Sequence, residues 1–224
     1  MQTEQYCIAK IKEQRILPLF YHDDGQVCIA VLKTLYSAGI KVVEFTNRGQ
    51  KALANFKLLV KERDAEMPDL LLGIGTIKSA NDASDFIDAG ADLLISPVFD
   101  SAVCDVAYMQ KILWIPACMT PSEIHVAASA GCTMIKLFPG NVLGTGFTEA
   151  IKPVFPDLDF LVTGGVEVTE ENMNAWFKSG VCAVGLGSKL ISKVILEQKN
   201  YAAIESLTKK ALQIAGSLQQ VGHL

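Results

Sequence analysis

Eight short apolar runs alternate with segments of helical period along the 224 residues, glycines end four of the helical segments, and polar residues gather just after the runs. These three observations predict an α/β protein: one (β/α)8 barrel spanning residues 1–224, with an extra N-terminal helix. Strands that are apolar on both faces suit a parallel sheet covered by helices. A doubly wound open sheet satisfies the same alternation, so periodicity leaves closure open.

The elements follow in order. An amphipathic stretch predicts a first helix over Glu4–Gln14, and the apolar run Ile16–Phe20 predicts the first strand. Helix Gly25–Ala38 ends at Gly39, where a left-handed residue can terminate it, and strand Val42–Phe45 follows. Helix Arg48–Lys61 leads to strand Leu70–Ile74, and helix Ser79–Ala89, closed by Gly90, leads to Leu93–Ser96. Helix Val103–Lys111 precedes strand Leu113–Pro116. Thr120-Pro121-Ser122-Glu123 then supplies a cap, a proline at the first helical position and an acidic first turn, predicting helix Pro121–Ala130. Strand Met134–Phe138, helix Gly144–Ile151, strand Phe160–Val162, helix Glu170–Lys178, strand Ala183–Leu186 and a final helix Asn200–Leu218 complete the pattern.

The net charge of −4 and pI near 5.4 argue against a nucleic-acid surface. No apolar stretch is long enough to span a bilayer, and Met1–Arg15 lacks the apolar core of a signal peptide. A cytoplasmic protein without nucleic-acid or membrane partners is expected. The six cysteines are scattered, with no C-x-x-C pair, and read as structural thiols. The three histidines show no metal-ligand spacing, so no metal is expected; His22, after the first strand, could be a polar lip residue but reads rather as solvent-facing.

Lys136 is the residue that demands explanation, because it interrupts the apolar run Met134–Phe138. A strand lysine is commonly solvated at an edge. A lysine removed from water loses its proton more readily, and the free amine is a nucleophile toward carbonyls. Glu44 stands at the end of another apolar run, where desolvation suits a carboxylate to proton transfer. It could equally pair with Arg48 at the strand-helix corner, unless that guanidinium holds a substrate carboxylate. After the last two strands come Thr163-Gly164-Gly165 and Gly185-Leu186-Gly187-Ser188. Glycines there let backbone amides approach a phosphate, aided by a helix N-terminus, although glycines also serve tight turns. Pro97 and Phe138 read most simply as strand stop and apolar wall.

The set Val43-Glu44-Phe45-Thr46-Asn47-Arg48, Gly73-Ile74-Gly75-Thr76, Ser96-Pro97, Thr120-Pro121-Ser122-Glu123, Ile135-Lys136-Leu137-Phe138-Pro139 and Thr163-Gly164-Gly165-Val166 resembles one family. That family is the class I 2-keto-3-deoxy-6-phosphogluconate aldolases, including members that also cleave 4-hydroxy-2-oxoglutarate. The match runs in order from about Ile11 to about Ile191. The resemblance implies a lysine aldolase on a (β/α)8 barrel, usually a homotrimer, acting on a 2-keto-3-deoxy sugar acid phosphate and yielding pyruvate, with no cofactor. It implies Lys136 as the Schiff-base lysine, Glu44 as acid/base, and Arg48, with Thr76 beside it, as holder of the pyruvyl carboxylate. Pro97 and Phe138 match pocket walls, and Thr163, Gly164, Gly165 and Ser188 match substrate and phosphate contacts. The chain departs from the pattern at Val98-Phe99, at Pro116-Ala117-Cys118-Met119 and at Leu137, leaving the lysine, glutamate and arginine intact. Alternatives are a preference for the phosphogalactonate epimer or for unphosphorylated 4-hydroxy-2-oxoglutarate, and a non-catalytic phosphate-sugar binding barrel. The last has no use for Lys136 and Glu44 together.

Overall fold

The computed structural model describes residues 2–217. Helix α1 (Glu4–Gln14) precedes β1 (Ile16–Phe20), α2 (Gly25–Ser37), β2 (Val42–Thr46), α3 (Ala52–Glu66), β3 (Leu71–Gly75) and α4 (Ala80–Asp88). Then come β4 (Leu93–Ile95), α5 (Ser101–Gln110), β5 (Leu113–Ile115), β6 (Ala117–Cys118), α6 (Pro121–Ser129) and β7 (Met134–Leu137). The remainder is α7 (Gly140–Leu143), α8 (Thr145–Ile151), β8 (Asp159–Thr163), α9 (Glu170–Lys178), β9 (Ala183–Leu186), α10 (Lys193–Glu197) and α11 (Tyr201–Ser217).

The strands form one parallel sheet in the order β5-β4-β3-β2-β1-β9-β8-β7-β6. Its two ends are consecutive in the chain, separated only by Pro116. That residue lacks an N–H and interrupts the ladder, so the expected strand Leu113–Pro116 becomes β5 and β6. Ser96 N donates to Ile115 O at 3.0 Å on one side of the break, and Lys136 N donates to Pro116 O at 2.9 Å on the other. The fifth strand thus joins both neighbours. The ring closes as a (β/α)8 barrel.

Two cores result. Between strands and helices lies the larger, with Phe45, Phe56, Ile74, Phe86, Phe160 and Trp176. Inside the barrel lies a floor of Leu17, Val42, Leu71, Leu93, Ile95, Leu113, Ile115, Met134, Leu161 and Ala183, covered from below by Cys7 and Ile11 of α1. The extra N-terminal helix is therefore the plug of the barrel's lower end.

Local chemistry sets the boundaries. Thr120 caps α6 through a full capping box with Glu123, and Pro121 opens the helix. Gly39, Gly90, Gly131 and Gly180 all take positive φ where helices return to strands. Helix α3 starts at Ala52, later than the expected Arg48, which leaves Arg48 in a loop. The expected helix Gly144–Ile151 is α8, preceded by the unforeseen short α7 and divided from it by Gly144 at φ 71. The short α10 was likewise unforeseen, and the expected end of the last helix at Leu218 lies outside the described residues.

Candidate active site

Strand alternation carries Glu44 and Lys136 into the barrel. Val42 and Met134 belong to the apolar floor, and residues two further along a strand face the same way. Glu44 and Lys136 therefore sit one layer above that floor. Thr163 follows Leu161, and Gly185 follows Ala183, by the same step. Glu44 is 1% exposed and Lys136 5%, so Lys136 is neither an edge nor a solvated lysine.

Small residues make the room. A Cβ on Gly75 would overlap Glu44 Oε1, and a Cβ on Gly185 would overlap Thr163 Oγ1. Gly185 is thus a strand residue that admits its neighbour, and only Gly187 and Ser188 lie in the loop beyond β9. Glu44 Oε2 and Thr163 Oγ1 are buried without a hydrogen-bond partner. Burial pushes the Glu44 carboxyl above the ordinary carboxylate range, and the charges of Lys136 and then Arg48 oppose that rise without cancelling it. Arg48 acts on Glu44 through space, and the corner ion pair that the sequence left open does not form.

The strand ends open onto two spaces. One cavity of about 370 Å³ is lined by Phe20, Tyr21, His22, Thr46, Arg48, Gly187 and Ser188, among others. His22 is thus on the lip of the mouth, part-exposed, with its Nδ1 accepting from Asp24 N at 3.0 Å. A groove of about 660 Å³ lies off the ends of β4, β6 and β7, lined by Pro97, Val98, Phe99, Cys118, Met119, Phe138 and neighbours. The Lys136 Nζ is 5.2 Å from the centre of the Phe138 ring, so that wall belongs to the lysine's surroundings. Thr76, just past β3, takes φ 64 and makes no side-chain hydrogen bond to Arg48.

Gly164 and Gly165 take φ 95 and 76. A Cβ on Gly165 would come 2.7 Å from Asn141 Cβ, so close packing as well as backbone conformation demands glycine. Asn172 holds this loop, donating to Gly165 O at 3.3 Å and accepting from Glu167 N at 2.9 Å. The helix that follows the glycine pair starts where expected, at Glu170, but its N-terminus is taken up by its own residues. Helix α9 begins at Glu170, is capped by its own Thr169 and carries Glu170 and Glu171 in its first turn.

Sequence reasoning missed Asn141, Asn172 and the Trp114 Nε1 bond to Ser96 Oγ at 2.7 Å. The Asn141 and Trp114 contacts join residues distant in sequence, and the Asn172 bonds span five and seven residues without a familiar motif. Gly75 was quoted only as part of a motif; it lies two residues past Gly73, the ladder partner of the inward Glu44, and leaves the space that the Glu44 carboxylate fills.

Fold and site together define a (β/α)8-barrel enzyme with a lysine and a glutamate enclosed just below its mouth. The chain belongs to the KDPG and KHG aldolase family, whose model matches residues 7–207. It is 30% identical to a 2-dehydro-3-deoxy-phosphogluconate aldolase of Pseudoalteromonas atlantica, over 91% of this chain and 92% of the relative. It is 31% identical to a "Probable 2-dehydro-3-deoxy-6-phosphogalactonate aldolase" of Rhizobium meliloti, over 71% and 74%. A KDPG aldolase structure from Legionella pneumophila, with pyruvate captured as a covalent carbinolamine, superposes with a TM-score of 0.83 at 26% identity, covering 91% and 96%. No helix among the described residues is long and apolar enough to cross a membrane.

Proposed function

We propose that this chain is a class I aldolase that cleaves 2-dehydro-3-deoxy-6-phosphogluconate to pyruvate and glyceraldehyde 3-phosphate through a Schiff base on Lys136. The observation that carries the reading is the enclosed pair of Lys136 and Glu44, each within the other's field above the apolar floor. The unprotonated Lys136 amine adds to the C2 ketone to form a carbinolamine, which loses water to give an iminium ion. Glu44, directly or through a water molecule, takes the C4 hydroxyl proton. The C3–C4 electron pair then moves into the iminium, releasing the aldehyde and leaving an enamine. Protonation at C3 and hydrolysis give pyruvate and free Lys136. Glu44's unpaired Oε2 and raised pKa suit it to hold and release a proton in this sequence.

Arg48, on the lip above Glu44, is assigned the pyruvyl carboxylate, with Thr76 beside it. Thr163, Gly164, Gly165, Gly187 and Ser188 are assigned the phosphate end, and Pro97 and Phe138 the walls beside Lys136. Anchoring both ends places the scissile bond between them. A phosphorylated sugar acid is retained by membranes, which assigns the enzyme to the cytoplasm. The test is borohydride reduction in the presence of pyruvate, followed by peptide mass mapping. A reduced pyruvyl adduct on Lys136 and on no other lysine is expected. Absence of the adduct, or its persistence in Lys136→Ala, would overturn the assignment.

The resemblance to the Rhizobium relative supports a second reading, cleavage of the phosphogalactonate epimer. Comparing kcat/KM for the two epimers and for 4-hydroxy-2-oxoglutarate decides it, with the phosphogluconate substrate expected to lead.

We also propose that the functional unit is a homotrimer. Val98, Met119 and Val126 are exposed around the apolar groove that Phe99 and Phe138 line, and a second copy would cover them. Light scattering on the eluted protein should give three times the 24.2 kDa chain mass. A monomeric mass at working concentration would reject the trimer.

A further inference from the structure

All six cysteines are free thiols. Two of them meet on the outside of the barrel, away from the mouth. Cys104 lies in α5, and Cys132 lies in the turn that leads from α6 into β7. Both line a small surface recess with Ala107, Tyr108, Ala130 and Gly131. Cys104 Sγ lies 3.9 Å from Ala130 O, two residues before Cys132 in the same turn, so the turn that carries Cys132 packs directly on the Cys104 thiol. No other cysteine pair has this relation. Cys7 turns to Asp92 O and Cys28 to His22 O, and Cys118 acts on Cys132 only through space.

We propose that Cys104 and Cys132 form a redox modification site, a dithiol that closes to an intramolecular disulfide by exchange with a low-molecular-weight disulfide such as oxidised glutathione. Cys104 is the entry thiol, because its contact with Ala130 lies at the surface. Its thiolate attacks one sulfur of the small disulfide, forming a mixed disulfide and releasing one small thiol. Cys132 then gives up its proton and attacks the Cys104 sulfur, breaking the mixed disulfide and releasing the second small thiol. Two protein thiols are oxidised, one small disulfide is reduced to two thiols, and both protein protons end on the released thiols.

Burial pushes Cys132 up to about 12 and raises Cys104 as well. Exchange is therefore slow at neutral pH and accelerates as pH rises. The product ties α5 to the entrance of β7, the strand that carries Lys136. It owes nothing to the aldolase chemistry.

The experiment is exposure of the whole folded protein to oxidised glutathione at mildly alkaline pH, then alkylation and non-reducing tryptic mass mapping. Peptide Ser79–Lys111 carries only Cys104, whereas Ile112–Lys136 carries both Cys118 and Cys132. Expected are these two peptides joined in wild type and in Cys118→Ser. In Cys132→Ser the join should be lost, and Cys104 should retain glutathione. Oxidised wild type should also melt at a higher temperature than reduced protein, and dithiothreitol should abolish the difference. The proposal is overturned if the peptides stay separate, if the join survives Cys132→Ser, or if wild-type Cys104 stops at the mixed disulfide.

Discussion

At Glu44, burial favours the protonated carboxyl while Lys136 and Arg48 favour the carboxylate, and burial prevails. An unfolded glutamate titrates near pH 4.3, so folding raises the pKa of this group. Its contribution to stability is then fully present below the unfolded value and is lost as pH rises through the folded value. Glu44→Gln replaces the carboxyl with a neutral group of similar shape. The variant should melt above wild type at neutral pH, and the two should converge as pH falls below the ordinary carboxylate range. Thermal melts across that window check the sign, and a gap that widens toward acid would refute it. In the same variant turnover should fall by about 10²-fold or more, while borohydride trapping of pyruvate on Lys136 should persist.

The elements show what the sequence could and could not disclose. Lys136 and Glu44 were legible because charges inside apolar runs are rare and a strand's two-residue period places them inward once its neighbours are known. The start of helix α6 was legible to the residue, since Thr120, Pro121 and Glu123 are local instructions. The break at Pro116 carried a local sign too, yet its role in closing the ring depends on partners in β4 and β7. Short α7 and α10 have too few residues to show a period. The meeting of Cys104 with Cys132 in one recess is a tertiary fact. One element offers a direct measurement. Thr120 Oγ1 accepts from Glu123 N at 3.2 Å, and the Glu123 carboxylate accepts from Met119 N and Thr120 N at 2.8 Å. Thr120→Ala removes half of this box and should cost about 1 kcal/mol. At this chain length that is a fall of about 2–4 °C in Tm. An unchanged Tm would mean that packing alone holds the start of α6.

Across the whole molecule, stability and chemistry occupy opposite ends of one barrel. Among the described residues four buried side-chain polar atoms go unpaired: Glu44 Oε2 and Thr163 Oγ1 near the mouth, and Thr148 Oγ1 and Asn174 Oδ1 on the outer helices α8 and α9. Groups left this way destabilise the fold, since a buried polar atom without a partner costs about 1–3 kcal/mol. The floor offsets them. Its strand side chains are apolar, and α1 seals them from water with Cys7 and Ile11, the latter 1% exposed. Ile11→Ala leaves a void beneath that floor, a change that costs about 2–5 kcal/mol at a buried site. Denaturant unfolding should therefore show a marked loss of stability. Lys136 and Glu44 stand a full layer above the void and keep their own neighbours, so the kcat of the folded variant and its pyruvate trapping should match wild type. If kcat fell along with stability, the plug would be positioning the polar layer as well as sealing the barrel, and the division between the two ends would fail.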